Sequence, residues 1–333
     1  MKLFALAGGS KMGNTEILIK EALMGAKEMG AEVEMMRIID LDIKHCKACW
    51  PCPVMFKGPD GCIRKDDGPF VLEKVLEADG LLIGAPVYTL TPPGSLMAVR
   101  DRVFGPRLDV SVRTEMKKMA DTQGTGMAAM FANIWDDERL YKKRVGGFIS
   151  LGGAPKSNWI PLGLPLLHTI TFPLQVEIVD QIEVLGTGEP GSVTLKDDVI
   201  ARARRLGRHL AEAMAKPVSG VKWMGEEPAA TCPVCQRNLM VFEKGSAQVE
   251  CAICGIKGDI KVKGNKIDIV FSEEEQKKSR LTREGKRIHF YEIGDVMREL
   301  APDRDKISAR VEKYKAYDQY ITLPPSKSKE SRE

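Results

Sequence analysis

Eight cysteines in this 333-residue chain fall into two tight groups with a long cysteine-free stretch between them. A chain of this size needs no disulfide stapling, so metal binding is the better reading of that grouping. Cys46-x-x-Cys49-x-x-Cys52, followed by Cys62, puts three thiols on one tight loop and a fourth nearby. Three closely spaced ligands curl around one face of a cube, which suits a [4Fe-4S] cluster better than tetrahedral zinc. Zinc and unligated redox cysteines are the alternatives. Pro51 and Pro53 keep this loop irregular, His45 reads as solvent-facing and Trp50 as a shield against water. In the second group, Cys232-Pro-Val-Cys235 and Cys251-Ala-Ile-Cys254-Gly255 form two knuckles with the spacing of a four-cysteine zinc ribbon. There a metal replaces the core that so small a module cannot build, and a single iron fits the same geometry.

The other candidate chemistry lies near the amino end, in Gly8-Gly9-Ser10-Lys11-Met12-Gly13-Asn14-Thr15. A loop passing from a strand into a helix offers free backbone N–H groups at the positive end of the helix dipole, and Ser10, Asn14 and Thr15 add side-chain donors. No Gly-Lys-Ser/Thr closes it and it is not Gly-x-Gly-x-x-Gly, so a monophosphate fits better than a nucleoside triphosphate or a dinucleotide. A tight turn with a serine cap is the bland alternative.

These residues need a frame to position them. Leu3 to Ala7, Leu81 to Ile83 and Val145 to Leu151 are short apolar runs ending at glycines, as buried parallel strands do, and Val33, Met35 and Arg37 alternate as a further strand. Leu18, Ala22, Ala26 and Met29 recur at helical spacing, as do Val71, Leu72, Val75 and Leu76, and Val199, Ala203, Leu206, Leu210 and Ala213. Alternating strands and helices predict an α/β fold with a doubly wound parallel sheet of five strands. Its ligand is expected at the carboxyl ends of the strands, where the loops Gly8 to Thr15, Ala85 to Thr91 and Leu151 to Ser157 converge.

The expected domains are 1–216 for the sheet, with a cysteine loop at 45–63 and an excursion at 105–144; 228–270 for the ribbon; and 271–333 for a charged C-terminal arm. The excursion carries Met116, Met119, Met127, Met130, Phe131 and Trp135 and reads as a surface hairpin against a neighbouring subunit, or as a substrate lid.

Three separated motifs, Gly-Gly-Ser-Lys-Met-Gly-Asn-Thr, Glu77 to Tyr88 and Arg100-Asp101-Arg102, together resemble the NADPH-dependent FMN reductase family, of flavodoxin-like fold, over about Met1 to Lys216. The resemblance implies that Ser10, Lys11, Gly13, Asn14 and Thr15 hold a flavin phosphate. It further implies that Pro86, Val87, Tyr88 and Thr89 border the isoalloxazine ring, and that Gly152, Gly153 and Ala154 close over it. The cysteine loop between the second strand and the next helix resembles the iron-sulfur flavoprotein branch. That branch implies a relay between FMN and a [4Fe-4S] cluster held by Cys46, Cys49, Cys52 and Cys62, and a homo-oligomer. The sequence departs from the branch by the insertion Pro53 to Gly61, and from the family by the stiff Thr91-Pro92-Pro93-Gly94.

Bulk composition is compatible with this reading. With 43% hydrophobic and 29% charged residues and a net charge of +4, the chain is of ordinary globular type and carries no electrostatic footprint for nucleic acid. No apolar run has membrane-spanning length, and a strand beginning at Lys2 leaves no room for a signal peptide, so a cytoplasmic protein is expected. The expected function is an FMN-dependent oxidoreductase or electron carrier, with NAD(P)H or a redox protein as partner and zinc in the ribbon. No acid–base residue is nominated, because flavin and cluster carry the chemistry. The competing readings are an NAD(P)H-dependent flavin or quinone reductase without a cluster, and a non-catalytic scaffold that docks a partner through the ribbon and arm.

Overall fold

A computed structural model of the chain describes residues 1–49, 62–105, 108–122, 137–228 and 230–322. They form two units, Met1–Arg287 and Ile288–Glu333.

The first unit is built on five parallel strands, β1 (Lys2–Ala7), β2 (Glu32–Arg37), β3 (Gly80–Pro86), β4 (Arg144–Leu151) and β5 (Val176–Val184), in the order β2-β1-β3-β4-β5. This is the flavodoxin-like order, whose switch point lies between β1 and β3. The apolar runs are continuous because the sheet is covered on both faces. Phe4, Leu6, Ile83 and Phe148 pack with α2 (Gly68–Glu77) and α5 (Gly163–Thr171), while Leu3, Ala5, Leu82 and Ile149 pack with α1 (Asn14–Glu28) and α6 (Asp197–Met214). Between β3 and β4 the chain forms α3 (Gly94–Ala98), a π-helical turn over Val99–Phe104, and α4 (Val110–Thr122). The π-turn buries Arg102, which pairs with the equally buried Asp66.

Helix α1 carries the loop at its amino end and is pressed against α6. A Cβ on Gly207 would collide with the Ala22 carbonyl, and one on Gly25 with the Arg204 carbonyl, so the two backbones touch where neither has a side chain. Arg204 and Arg208 reach over the contact to Glu21 and Glu28.

Arg144, at the first position of β4, is fully buried without a carboxylate partner among the described residues. Its guanidinium donates to the carbonyls of Val75, Leu76 and Ala78 at the carboxyl end of α2, and to those of Arg139 and Lys142, at 2.8 to 3.1 Å. The charge thus sits at the negative pole of a helix, where it satisfies orphan carbonyls. Burial still pulls its pKa down to about 10.

The ribbon is an antiparallel sheet of β6 (Met240–Phe242), β7 (Gln248–Cys251), β8 (Lys257–Lys263) and β9 (Lys266–Val270). Its core consists of four cysteines with Val249, Ile253, Ile256, Ile269 and Phe271. Phe271 and the amide of Arg280, which donates to the Cys254 carbonyl, carry this module past the last strand, through α7 (Glu273–Lys277). The segment between α6 and the ribbon runs beside β5, where the Met224 amide donates to Val179. The next helix, α8 (Arg283–Leu300), begins with Lys286 buried between Asp109, at 3.8 Å, and the ring of Phe172. Of the excursion, Met127, Met130, Phe131 and Trp135 lie outside the described residues.

Replacing Arg144 with methionine leaves five carbonyls without this donor, three of them buried. The variant is expected to lose roughly 3–5 kcal/mol of unfolding free energy in urea titration; a loss below about 1 kcal/mol would mean that water or neighbouring amides already satisfy those carbonyls.

Candidate functional site

The turn from β1 into α1 takes its shape from Met12, whose φ of 55° is left-handed, and from a bond between the Gly13 amide and the Ser10 carbonyl. The first helical bond runs from Ile17 to Gly13, so the amides of Asn14 and Thr15 are orphan donors of a helix start. A Cβ on Gly13 would strike the Ser10 hydroxyl, and one on Gly9 would lie 3.0 Å from the Thr15 hydroxyl. Glycine at both places leaves the amides and the two hydroxyls open to a ligand.

This loop is held from beneath by Glu16, whose side chain is fully buried. Its carboxylate accepts from the Met12 amide at 2.9 Å, from Arg37 at 2.6 and 2.9 Å, and from Lys20 at 2.5 Å. Arg37 foremost, against the cost of burial, holds the Glu16 carboxyl down at about 2. From the side the loop is held by Asn14. Its amide nitrogen donates to the carbonyls of Thr187 and Glu189, at 3.0 and 2.8 Å, and its oxygen accepts from the Val193 amide at 3.1 Å. Asn14 therefore spends both donors on the loop after β5, and what it offers a ligand is its backbone N–H.

A cavity of about 320 Å³ opens at this place. Ser10, Gly13, Asn14, Thr15, Pro86, Val87, Tyr88 and Gly153 line it, so three separate loops meet as expected at the carboxyl ends of β1, β3 and β4. Lys11, Thr89, Gly152 and Ala154 do not line it. Lys11 is exposed, Gly152 is buried against Ile160, and Ala154 accepts from the Gly186 amide. Thr89 and Leu90 form the tip of a two-residue hairpin, in which Tyr88 and Thr91 exchange backbone hydrogen bonds. Both tip residues have positive φ, at 49° and 70°, although neither is glycine.

A fourth wall, formed by Thr187, Gly188 and Pro190, was not foreseen. The glycine-rich run Gly186-Thr-Gly-Glu-Pro-Gly191 was its signal, but the strand before it reads as VEIVDQIEV, without the continuous apolar run that marked the others.

The cysteine loop is closed at its base by a clamp. The Asp42 amide donates to the Asp67 carboxylate at 2.7 Å and the Asp67 amide to the Asp42 carbonyl at 3.0 Å; the Lys44 amide donates to Asp66 at 3.0 Å. Asp66 is itself anchored by buried Arg102. Cys46 and Cys62 thus leave and re-enter one fastened base, whatever the length between them. Cys46 and Cys49 are exposed and Cys62 is half-buried; His45 is exposed and lies 3.2 Å from the Arg64 guanidinium. Trp50, Pro51, Cys52 and the stretch Pro53 to Gly61 lie outside the described residues.

The ribbon thiols converge. Cys232, Cys235, Cys251 and Cys254 are buried with their sulfurs within 4.8 Å of one another. The knuckles repeat one bonding pattern. The Gln236 amide donates to Cys232 and the Gly255 amide to Cys251, while the Cys232 and Cys251 amides donate to Arg237 and Ile256. Gln236 and Gly255 are both left-handed, at 56° and 71°. Hydrogen bonding among the four sulfurs pulls the Cys232 and Cys251 thiols, as acceptors, down and pushes Cys235 and Cys254, as donors, up. Four buried sulfurs at that spacing fit one tetrahedral ion.

Gln181 ties this module to the sheet. From β5 its amide donates to the carbonyls of Cys235 and Gln236, at 3.2 and 3.1 Å, which turns its oxygen toward His168 Nε2 at 3.1 Å. Burial pushes the His168 imidazole down to about 4, so it is neutral and donates that proton.

Comparison with known proteins agrees with this geometry. The profile of the NADPH-dependent FMN reductases matches residues 1–157. Flavone synthase cfoJ of Aspergillus candidus is 33% identical over 334 residues, covering 98% of this chain and 99% of that protein. The chain belongs to the NADPH-dependent FMN reductase family. It is thereby an oxidoreductase of the FMN-dependent type. A solved flavone reductase superposes with a TM-score of 0.74 at 28% identity, over 97% of this chain and 99% of that one. An iron-sulfur flavoprotein of Methanosarcina thermophila is 37% identical over 103 residues, 31% of this chain and 52% of that protein. The lining of the cavity, glycine-opened amides and hydroxyls on one wall and Tyr88 on another, is chemically suited to the flavin of this family. Among the described residues no helix is long and apolar enough to cross a membrane.

Because Glu16 has its carboxyl held below the ordinary 4.5, its stabilising effect is complete above that pH and is lost as the pH falls toward 2. Glu16→Gln is expected to lower the melting temperature at pH 7 by about 5 °C and to flatten its decline between about pH 5 and pH 2. Melting curves across that range check this, and an unchanged acid limb would mean that other carboxylates set it.

Proposed function

We propose that this chain is an FMN-bound oxidoreductase that moves a hydride equivalent between NAD(P)H and the conjugated carbon–carbon double bond of a flavone-type substrate. The observation that carries the reading is the four-walled cavity over the β1–α1 turn. The substrate class rests on two relatives that match the chain from end to end, ribbon included. One is named for making a flavone and the other for reducing one.

When bound, the flavin supplies reversible two-electron chemistry. The chain's own part is placement. The amides of Asn14 and Thr15 and the hydroxyls of Ser10 and Thr15 hold the phosphate at the amino end of α1. Pro86, Val87 and Tyr88 border the ring on one side, and Gly153, with Thr187 and Gly188, on the other. Tyr88 is 58% exposed and offers its ring to a flat aromatic substrate. We assign zinc to the four ribbon thiols, as a structural ion that fixes the module against β5.

A second reading, a one-electron relay through a [4Fe-4S] cluster on Cys46, Cys49, Cys52 and Cys62, is favoured by the clamp at the base of that loop. The clamp offsets the long Pro53 to Gly61 insertion by returning Cys62 to the neighbourhood of Cys46. In that reading the protein hands electrons to a partner protein instead of keeping both on one substrate.

Anaerobic purification followed by absorbance and metal analysis tests both. One FMN per chain, bleached by NADPH and restored by flavone with loss of the flavone band, is the expected result. Retention of the oxidised flavin spectrum under NADPH and flavone together would sink the substrate assignment. One zinc per chain is expected from the ribbon, and Cys235→Ser is expected to remove it. Four iron and four sulfide per chain, lost in Cys46→Ser with FMN retained, would establish the cluster; flavone turnover that survives this loss would leave the relay without a part in the reaction.

A further inference from the structure

The hairpin that follows β3 carries a cost that its packing does not return. Its tip, Thr89-Leu90, has φ of 49° and 70° at successive residues, a pair of left-handed conformations that Asn-Gly adopts freely and that a β-branched residue resists. Both flanks hold the tip in that form. On one side the Val87 amide donates to the Leu151 carbonyl at 2.8 Å; on the other Pro92 is buried, and the Pro93 carbonyl opens α3 by accepting from the Leu96 amide at 3.0 Å. The backbone bonds between Tyr88 and Thr91, at 2.8 and 3.1 Å, close the loop. Rotation at the flanks therefore does not relieve the tip, and the strain is kept.

Burial of side chains does not offset it. Leu90 is 42% exposed and Tyr88 58%, and neither belongs to the apolar cores on the two faces of the sheet. A turn that served only to reverse the chain would be better built from Asn-Gly. The tip thus keeps a large apolar side chain at a position where glycine would cost less. Tyr88 lines the cavity over the β1–α1 turn, whereas Leu90, two residues on, stands outside that lining.

We infer that Leu90 is a specificity-determining residue, which covers one face of a flat aromatic acceptor beside the Tyr88 ring. The assignment rests on the reaction proposed above, and adds to it the residue that meets the acceptor instead of the flavin. An exposed isobutyl group gives up its water only when an apolar partner arrives, so its effect is read in KM for that partner. The braced turn fixes the backbone beneath Leu90 in advance, which leaves little ordering to be done on binding. Strain beside a reactive site is retained in this way when the strained residue serves the site, at the expense of stability.

Melting curves and steady-state kinetics on the full-length, flavin-loaded protein test the assignment together. Leu90→Gly is expected to raise the melting temperature by about 2–4 °C, because glycine accepts the left-handed conformation. The same variant is expected to raise KM for flavone about ten-fold, while NADPH bleaches the bound FMN at the wild-type rate. Leu90→Met, which keeps an apolar side chain, holds KM within about two-fold of the wild type. An unchanged KM in Leu90→Gly overturns the proposal. Loss of FMN, or an equal fall in the rate with NADPH, overturns it too, since either would place Leu90 at the cofactor. So does a fall in melting temperature, which would mean that the tip is held by side-chain packing. A wild-type reduced flavin that flavone fails to reoxidise sinks the flavone reading by itself. Menadione, a flat quinone, then takes the place of flavone: a rise of about ten-fold in its KM upholds Leu90, and an unchanged KM overturns it.

Discussion

Glu16 joins three pieces of the fold at one buried point: the turn at Met12, the first turns of α1, and Arg37 at the end of β2. The turn holds a non-glycine residue in a left-handed conformation, which is tolerated because a buried carboxylate receives its amide. Glu16 is also the only acid in the first turn of the helix, so it sits where the helix dipole favours negative charge. The same carboxylate, lying behind the loop, leaves the front of the loop free for an anionic ligand. Asn14 completes the arrangement by fastening the loop sideways to Thr187 and Glu189.

Much of this frame was legible in the residues. Leu3 to Ala7, Leu81 to Ile83 and Val145 to Leu151 announced themselves because strands covered on both faces have no use for polar residues. The strand Val176–Val184 did not, since it lies at the sheet edge and carries Glu177, Asp180, Gln181 and Glu183. Asp180 is buried all the same, satisfied by Arg202 and by His209 at 2.8 Å. Such a pairing depends on helix α6, far along the chain, and has no local signature. For the same reason the wall after β5 escaped notice while the loops after β1, β3 and β4 were found.

Side-chain roles were less legible than positions. Ser10, Gly13, Thr15 and Tyr88 stand at the cavity where spacing put them, but the donors of Asn14 turn away from it toward a loop 173 residues or more distant in sequence. The cysteines divide in the same way. The two-knuckle spacing sufficed for the ribbon, because each knuckle closes through its own backbone. The clamp under the first cysteine loop is built from Asp42, Lys44, Asp66, Asp67 and Arg102, none of which carries a metal-ligand signature.

Gln181 links the rim of the sheet to the carbonyls of Cys235 and Gln236, and the segment through Met224 lies along the same rim. An outermost strand left bare is a template for other chains. The cysteine module therefore serves as a selvedge, finishing an edge that would otherwise unravel into intermolecular pairing. Loosening the knuckles would bare the rim of β5 before it touched the chemistry beside β1.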